Sequence, residues 1–491
     1  MNLMEVKRQK KQFQLKLTSF EEGKGEALNT SKWVETTMVI SKTENPAGED
    51  IDIGIKSDRL MEEIVDERNM RKALKQVIHN KGVPGIDGMA VSELGMYLES
   101  HWEQIKQELL QGTYNPKPVK RVYIPKPGKT EKRALGIPTV LDRLIQQLLL
   151  QILQKYIDPT FSDSSFGFRP NRSAHKAISK AKEHIESGYN WVVDIDLEKF
   201  FDRVSHDKLM GLLAKRISDK RVLRLIRAFL NSGVMEEGLV SPTIEGTPQG
   251  GPLSPLLSNV ILDLLDKELE KRGHKFVRYA DDCNIYVRSE RAGKRVLASI
   301  AKYILKKLKL KINQEKTAVD KVNRRKFLGF SFTSGKETKI RIASESIQRL
   351  NTKVRKITRR RCGKNIELII KELSMYLRGW TTYFGYCETP SVLKRLDGWI
   401  RRRLRSLIWT QWKTIKRRRK ELKKLGLTNE ELGIASSGKG SWRISKTKQV
   451  QIAMQNSYFD KLGLYRLDSS KSGLPAQSYR TAEYGPVRSV V

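Results

Sequence analysis

The stretch that decides the fold is Lys275-Phe276-Val277-Arg278-Tyr279-Ala280-Asp281-Asp282-Cys283-Asn284-Ile285-Tyr286-Val287-Arg288. Apolar and aromatic residues lead into two carboxylates, and apolar residues follow. A β-hairpin reads this way, with its tight turn at the acidic pair. Adjacent aspartates repel each other and are poor strand formers. They need a compensating partner, and a divalent cation held by hard carboxylate oxygens supplies one. An isolated Asp-Asp is by default an exposed turn without a role. Its neighbours in the chain remove that default.

Upstream runs Trp191-Val192-Val193-Asp194-Ile195-Asp196-Leu197-Glu198-Lys199-Phe200-Phe201-Asp202. Val192 and Val193 begin a buried strand, and Lys199 to Val204 turn away from it. An aspartate ending a core strand beside an Asp-Asp hairpin is the layout of a two-metal site. The ions in such sites stand about 3.5–4 Å apart, one on the attacking and one on the leaving oxygen. Nucleotidyl transfer is the reaction that uses this layout.

The rest of the composition narrows the partner. The 491 residues suffice for two to four domains. Against 55 Asp and Glu stand 94 Lys and Arg, a formal charge of +39. That excess points to a polyanion, above all nucleic acid. A basic membrane-surface protein is the rival, but the charge is spread along the chain rather than set beside an apolar anchor. No apolar run reaches the ~18 residues of a transmembrane span. Met1 to Lys16 lacks a signal-peptide core. Cys283, Cys362 and Cys387 are scattered and form no CxxC, so a reduced, cytoplasmic protein is expected and a cysteine zinc site is not.

Four segments in order carry a resemblance. These are the strand-Asp196-(x)4-Phe201 unit, Gly246-Thr247-Pro248-Gln249-Gly250-Gly251-Pro252-Leu253-Ser254-Pro255, Tyr279-Ala280-Asp281-Asp282, and Lys326-Phe327-Leu328-Gly329-Phe330. Together they resemble the reverse transcriptases encoded by bacterial group II introns, over roughly residues 58–425. The resemblance implies an α+β right-hand polymerase whose palm carries an antiparallel sheet, followed by a helical thumb. It implies an N-terminal extension at 1–56, fingers at 57–188 and a palm at 189–342 with a finger insertion near 203–245. A thumb, or maturase domain, follows at 343–425, and 426–491 holds a DNA-binding region and a tail.

The resemblance also distributes roles. Asp196, Asp281 and Asp282 would hold two Mg²⁺ ions, Asp196 rather than Asp194 because the family spacing sets four residues between the aspartate and Phe201. Phe201 would lie beneath the sugar and exclude a ribose 2′-hydroxyl. Gln249 would brace the nascent base pair. The local sequence there reads only as a helix-initiating loop, with glycines that let a ligand approach closely. Lys316 matches a lysine near the leaving pyrophosphate, able to give it a proton.

Other segments leave alternatives open. Lys120 to Pro127 and Lys132 to Thr139 read as two strands joined by a basic turn. Lys126 and Arg133 would sit on one hairpin and converge on a triphosphate, and a merely solvated basic hairpin reads the same way. The resemblance makes it the fingers hairpin that closes on the dNTP. Arg169, after Ser164-Ser165-Phe166-Gly167-Phe168, faces template or phosphate, or else forms a structural salt bridge. Gly329 sits in a strand where it would let the primer backbone pass.

Residues 345–424 carry 24 Lys and Arg against 6 Asp and Glu, with Trp380, Trp399, Trp409 and Trp412 interleaved. A basic helical bundle with embedded aromatics suits a polyanion groove. The runs Arg359-Arg360-Arg361, Arg401-Arg402-Arg403 and Arg417-Arg418-Arg419 are its candidate contacts. The block resembles the thumb of the same family, notably at Leu377-Arg378-Gly379-Trp380. The expected partners are the parent intron RNA, an RNA template with a DNA primer, target DNA and dNTPs, with no membrane. Many relatives end in an HNH nuclease. Here no histidine follows His274 and no cysteine follows Cys387, so no HNH activity in cis is expected. The competing readings are a maturase with a decayed polymerase, a free-standing reverse transcriptase, and an RNA-directed RNA polymerase, the last disfavoured by Phe201.

Overall fold

The computed structural model describes residues 59–125, 132–236, 239–241, 246, 250–335, 337–359 and 363–467. Three helices come first: α1 (Leu60–Val65), α2 (Glu67–Asn80) and α3 (Leu94–Gln111). Asp66 ends α1 and caps α2, its carboxylate accepting from Arg68 N at 2.9 Å. The Gly- and Pro-rich loop after α2 lies against the next helix start. A Cβ on Gly85 would meet the backbone of Thr139 at 2.6 Å. Arg143 holds the loop from the other side, donating to Val83 O at 2.5 Å.

Strands β1 (Val119–Pro125) and β2 (Lys132–Ile137) pair antiparallel, as the basic-hairpin reading expects. Helix α4 (Val140–Ile157) follows, capped by Thr139 and buried at Leu144, Ile145, Leu148 and Leu149. Ser173 caps α5 (Ala174–Glu186), which leads to β3 (Trp191–Ile195). Two helices follow, α6 (His206–Ala214) and α7 (Lys220–Asn231). Then come β4 (Val234–Glu236), β5 (Leu239–Ser241), α8 (Ser254–Lys271), β6 (Lys275–Tyr279), β7 (Asp282–Val287), α9 (Glu290–Tyr303) and β8 (Ala318–Lys321). Leu310 to Asn313 makes a single antiparallel bridge, Ile312 to Leu197.

Two four-stranded sheets result, β2-β1-β4-β5 and β6-β7-β3-β8. Side chains alternate across the second sheet, and the alternation divides two cores. Val193, Ile195, Cys283 and Ile285 face a core shared with α1 to α4 and α6 to α9. Val192, Val277 and Tyr286 face a second core, with α5 and the C-terminal helices.

That second core is capped by β9 (Phe330–Phe332) paired with β10 (Ile340–Ile342). Helices α10 (Ser344–Ile357), α11 (Ile366–Phe384), α12 (Pro390–Gln411) and α13 (Ile415–Lys424) follow. The Gly- and Ser-rich segment 436–441 is largely exposed, but its ends are attached to the bundle: Ala435 before it is buried, and Ser406 Oγ donates to Ser441 Oγ at 3.1 Å. Three short helices, Ser441–Ile444, Lys448–Ala453 and Asn456–Lys461, bury Ile444, Val450 and Phe459 in the same core as α11 and α12. The expected boundary near 425 therefore divides no core.

Candidate active site

Hairpin β6–β7 turns as its sequence dictates, with Tyr279 opposite Asp282 and Ala280-Asp281 as the loop. Ala280 adopts φ +56°, a left-handed conformation that an L-residue other than glycine adopts only at a cost. Beside the hairpin runs β3, antiparallel to β7, with Asp194 opposite Asn284 and Ile195 opposite Cys283. One more step of that register sets Asp196 across from Asp282. Asp194, Asp196, Asn284 and Asp282 share one face by strand alternation, so the carboxylates extend the row that Val192 and Tyr286 begin.

Each aspartate has a distinct environment. Asp194 is spoken for: Arg325 donates to its Oδ2 from Nε at 3.0 Å and from Nη2 at 2.5 Å. Asp196 faces Lys316, whose Nζ lies 3.3 Å from both carboxylate oxygens. The turn bearing Lys316 docks onto the Asp196 backbone, which donates to Thr317 Oγ1 at 3.2 Å and accepts from Asn313 N at 2.8 Å. Asp282 is open to solvent on one side, yet the protein around it displaces much of its hydration. That loss, then the charges of Asp281, Asp194 and Asp196, pushes its carboxyl up to about 7, with Lys316 opposing.

Among the described residues, no three His, Cys, Asp or Glu side chains form a ready-made metal cage. The donor set nevertheless fits a hard divalent cation. Hard oxygens crowd together with more negative charge than one lysine offsets, and Mg²⁺ takes one or two carboxylates plus substrate phosphates rather than an all-protein cage.

Phe200 and Phe201 meet edge to face at 5.2 Å between ring centroids. Phe200 is core, and Phe201 is half-buried. Gly246 hugs this turn: a Cβ there would stand 2.9 Å from Phe201 O. Gly250, at φ +129°, presses on Gly136 O of β2 in the same way. The expected close approach is thus made by protein backbone. Gln249 and Lys126 lie outside the described residues. Arg133 lies in β2 opposite Ile124, and its side chain lies outside the described set.

Three residues expected at nucleic acid are engaged within the protein. Arg169 is 4% exposed, and its guanidinium donates to Asp158 Oδ1 at 2.9 Å and to Ser162 O at 2.5 Å. The structural salt bridge, and not a template contact, is its role. Gly329, at φ +80°, is confined by Phe384 Cε1 at 3.1 Å and Ser346 Oγ at 3.2 Å from a Cβ position. The close approach it permits within the protein is that of the thumb. Arg401 is buried and ion-paired with Asp397.

Its neighbours are also engaged in packing. Arg402 stacks on Trp442 at 3.9 Å, and Arg403 donates to Thr358 Oγ1 at 2.8 Å. Arg359 is exposed, whereas Arg360 and Arg361 lie outside the described residues. The cations left to solvent on α13 are Lys416, Arg417, Arg419, Lys420, Lys423 and Lys424.

Sequence reasoning missed Arg278, fully buried beside Asp266. Its position inside an apolar strand, next to Tyr279, is the signal that was there to read. Arg325, the partner of Asp194, carried no such signal.

Fold and carboxylate cluster together define a polymerase-type nucleotidyltransferase domain joined to a basic helical one. Residues 124–332 match the family described as reverse transcriptase (RNA-dependent DNA polymerase), and residues 347–426 match the group II intron, maturase-specific domain. Protein YkfC of Escherichia coli is 32% identical over 312 residues, 55% of this chain and 82% of that protein. The group II intron-encoded protein LtrA of Lactococcus lactis subsp. cremoris is 40% identical over 206 residues, 42% of this chain and 34% of LtrA. The COX1/OXI3 intron 1 protein of Saccharomyces cerevisiae is 26% identical over 411 residues, covering 68% of this chain and 47% of its own length. The matched region is thus about a third of LtrA and under half of the yeast protein. The chain belongs to the group II intron-encoded reverse transcriptases and carries both the polymerase and the maturase domain.

Proposed function

We propose that the protein is an RNA-directed DNA polymerase that uses two Mg²⁺ ions, and that it also binds its parent group II intron RNA, assisting splicing and target-primed mobility. The observation that carries the polymerase reading is the register of β3 against β7, which sets Asp196 across from Asp282 beside the Asp281 turn. Asp196, Asp281 and Asp282 would hold the metal. Bound there, divalent ions would activate the primer 3′-hydroxyl and offset charge on the departing pyrophosphate.

The chain's own residues do the rest. Lys316, held within 3.3 Å of Asp196, stands where an ammonium can pass a proton to the leaving group. Phe201 screens the sugar. Lys126 and Arg133 take the triphosphate, and Gln249 lines the pair. The exposed cations of α13, with Arg359, offer a sequence-tolerant grip on RNA phosphates.

Primer extension on an RNA template tests the polymerase: dNTP incorporation is expected with Mg²⁺, and none from Asp282→Asn. RNA that purifies with the protein under mild salt tests the maturase. One dominant structured RNA containing this reading frame supports it. A diffuse mixture moves the protein to the free-standing class.

A further inference from the structure

We propose that Arg278 is a positioning residue for the catalytic carboxylates, its buried guanidinium holding the carbonyl of Ala280 and so fixing the turn that carries Asp281 and Asp282. The inference rests on the polymerase reading above.

Every N–H of this guanidinium has a partner. Nε donates to Asp266 Oδ1 at 2.7 Å, and Nη2 donates to Asp266 Oδ2 at 2.5 Å and Ser165 Oγ at 2.8 Å. Nη1 donates to Asn259 Oδ1 and to Ala280 O, each at 2.9 Å. Only the last bond reaches the catalytic turn, and it reaches the one turn residue at positive φ.

The other partners hold the fork in place. Asn259 Nδ2 donates to Gly167 O at 2.9 Å. Gly167 lies directly under the turn, where a Cβ would come within 2.2 Å of Ala280 N. The same segment runs alongside β6, with Arg278 N donating to Ser164 O at 2.9 Å and Phe166 N to Arg278 O at 2.8 Å. A strained turn is thus held by a hydrogen bond from one side and by backbone contact from the other.

Stability alone does not account for this arrangement. Arg278 and Asp266 are both 0% exposed, and a fully buried ion pair commonly gains nothing over apolar residues of similar volume. What the pair supplies is geometry: a planar fork delivering five bonds in fixed directions. Lysine keeps the charge but has three donors on a flexible stem and cannot reproduce that fork.

The test uses the full chain as wild type, Arg278→Lys and Arg278→Lys/Ala280→Gly. Three quantities are read: kcat for primer extension, the Kd for an annealed RNA template and DNA primer, and the Mg²⁺ midpoint by calorimetry with a 3′-deoxy primer, where no turnover occurs. Arg278→Lys is expected to lower kcat by about tenfold or more and to raise the Mg²⁺ midpoint several-fold, with Kd within about twofold. Glycine adopts positive φ freely, so the double variant is expected to recover part of both losses.

Wild-type kcat and Mg²⁺ midpoint in Arg278→Lys, with only a lower Tm, would overturn the proposal, as would a double variant that recovers nothing. If Arg278→Lys does not fold, Ser165→Ala removes one bond of the fork. An intermediate loss supports the proposal, and none overturns it. A wild-type chain that extends no primer would instead sink the underlying polymerase reading.

Discussion

Asp282 and Phe201 make opposite demands on a substitution. Asp282→Asn keeps the side-chain shape and removes a charge from the carboxylate cluster. It should cost at least about a thousandfold in kcat, as losing a charge-stabilising group at a reacting centre does, while the RNA-binding affinity of the chain stays unchanged. Gel-shift and primer-extension assays on one preparation check both halves. Phe201→Ala should leave dNTP use largely intact and relax rejection of ribonucleotides by about 10- to 100-fold in the ratio of kcat/KM values, the scale of steric discrimination in a pocket. Unchanged discrimination would remove Phe201 from its assigned role. At this scale the sequence was legible where a short motif fixes both neighbours and spacing. Asp196 and Asp282 fall on one sheet face, with Asp281 in the adjoining turn, because strand alternation and hairpin pairing are local rules. Arg169 was not legible, since the fold alone brings Asp158 to it, whereas Arg401 sits one helical turn after Asp397, a pairing the sequence allows but whose burial it does not reveal.

At the level of elements, contacts between the thumb and the rest decide two outcomes. Gly329→Ala forces a side chain onto a positive-φ position beside Phe384 and Ser346. A loss of about 1–3 kcal/mol in unfolding free energy is expected, measured by denaturant titration. On the facing side, His175 Nε2 lies 2.8 Å from Tyr383 O, and its ring stacks on Tyr386 at 4.6 Å. Burial holds the His175 imidazole below its ordinary value near 6.5, and the same cause acts on His184. The folded state therefore favours neutral rings, and the unfolded chain binds protons more readily. Stability should be full above pH ~6.5 and decline as pH falls from there toward the depressed folded values. Melting temperatures between pH 8 and 5 check this, and His175→Phe should flatten part of the slope. The basic β1–β2 hairpin was readable from alternation and turn residues. The docking of the segment after Ser436 was not. Glycine and serine at 436–441 look like a joint, whereas Ile444, Val450 and Phe459 bind it to the bundle through contacts far apart in sequence.

Taken whole, the molecule is a polycation with formal charge +39, and its binding to RNA should fall steeply with salt. Replacing Lys416, Arg417, Arg419 and Lys420 together by glutamine should reduce the slope of log Kobs against log salt by about 3, at roughly 0.7–0.9 for each phosphate no longer neutralised. Filter binding across a salt series reads that slope, and an unchanged value would place the RNA elsewhere. Charge excess was evident from composition, but which arginines remain available to phosphate was not, because packing had taken Arg401, Arg402 and Arg403.

The sheet order β2-β1-β4-β5 has a consequence for how the chain is made. Strand β4 lies parallel to β1 across a long stretch of sequence that contains all of β3. The first sheet cannot close on the ribosome until residue 241 has emerged, and by then β3 is already waiting for β7. Until then β1 leaves an unpaired edge exposed, as β3 does until β7 follows. Fragments cut between residues 137 and 234 are therefore expected to be insoluble as separate products and to regain structure only when produced together in one cell.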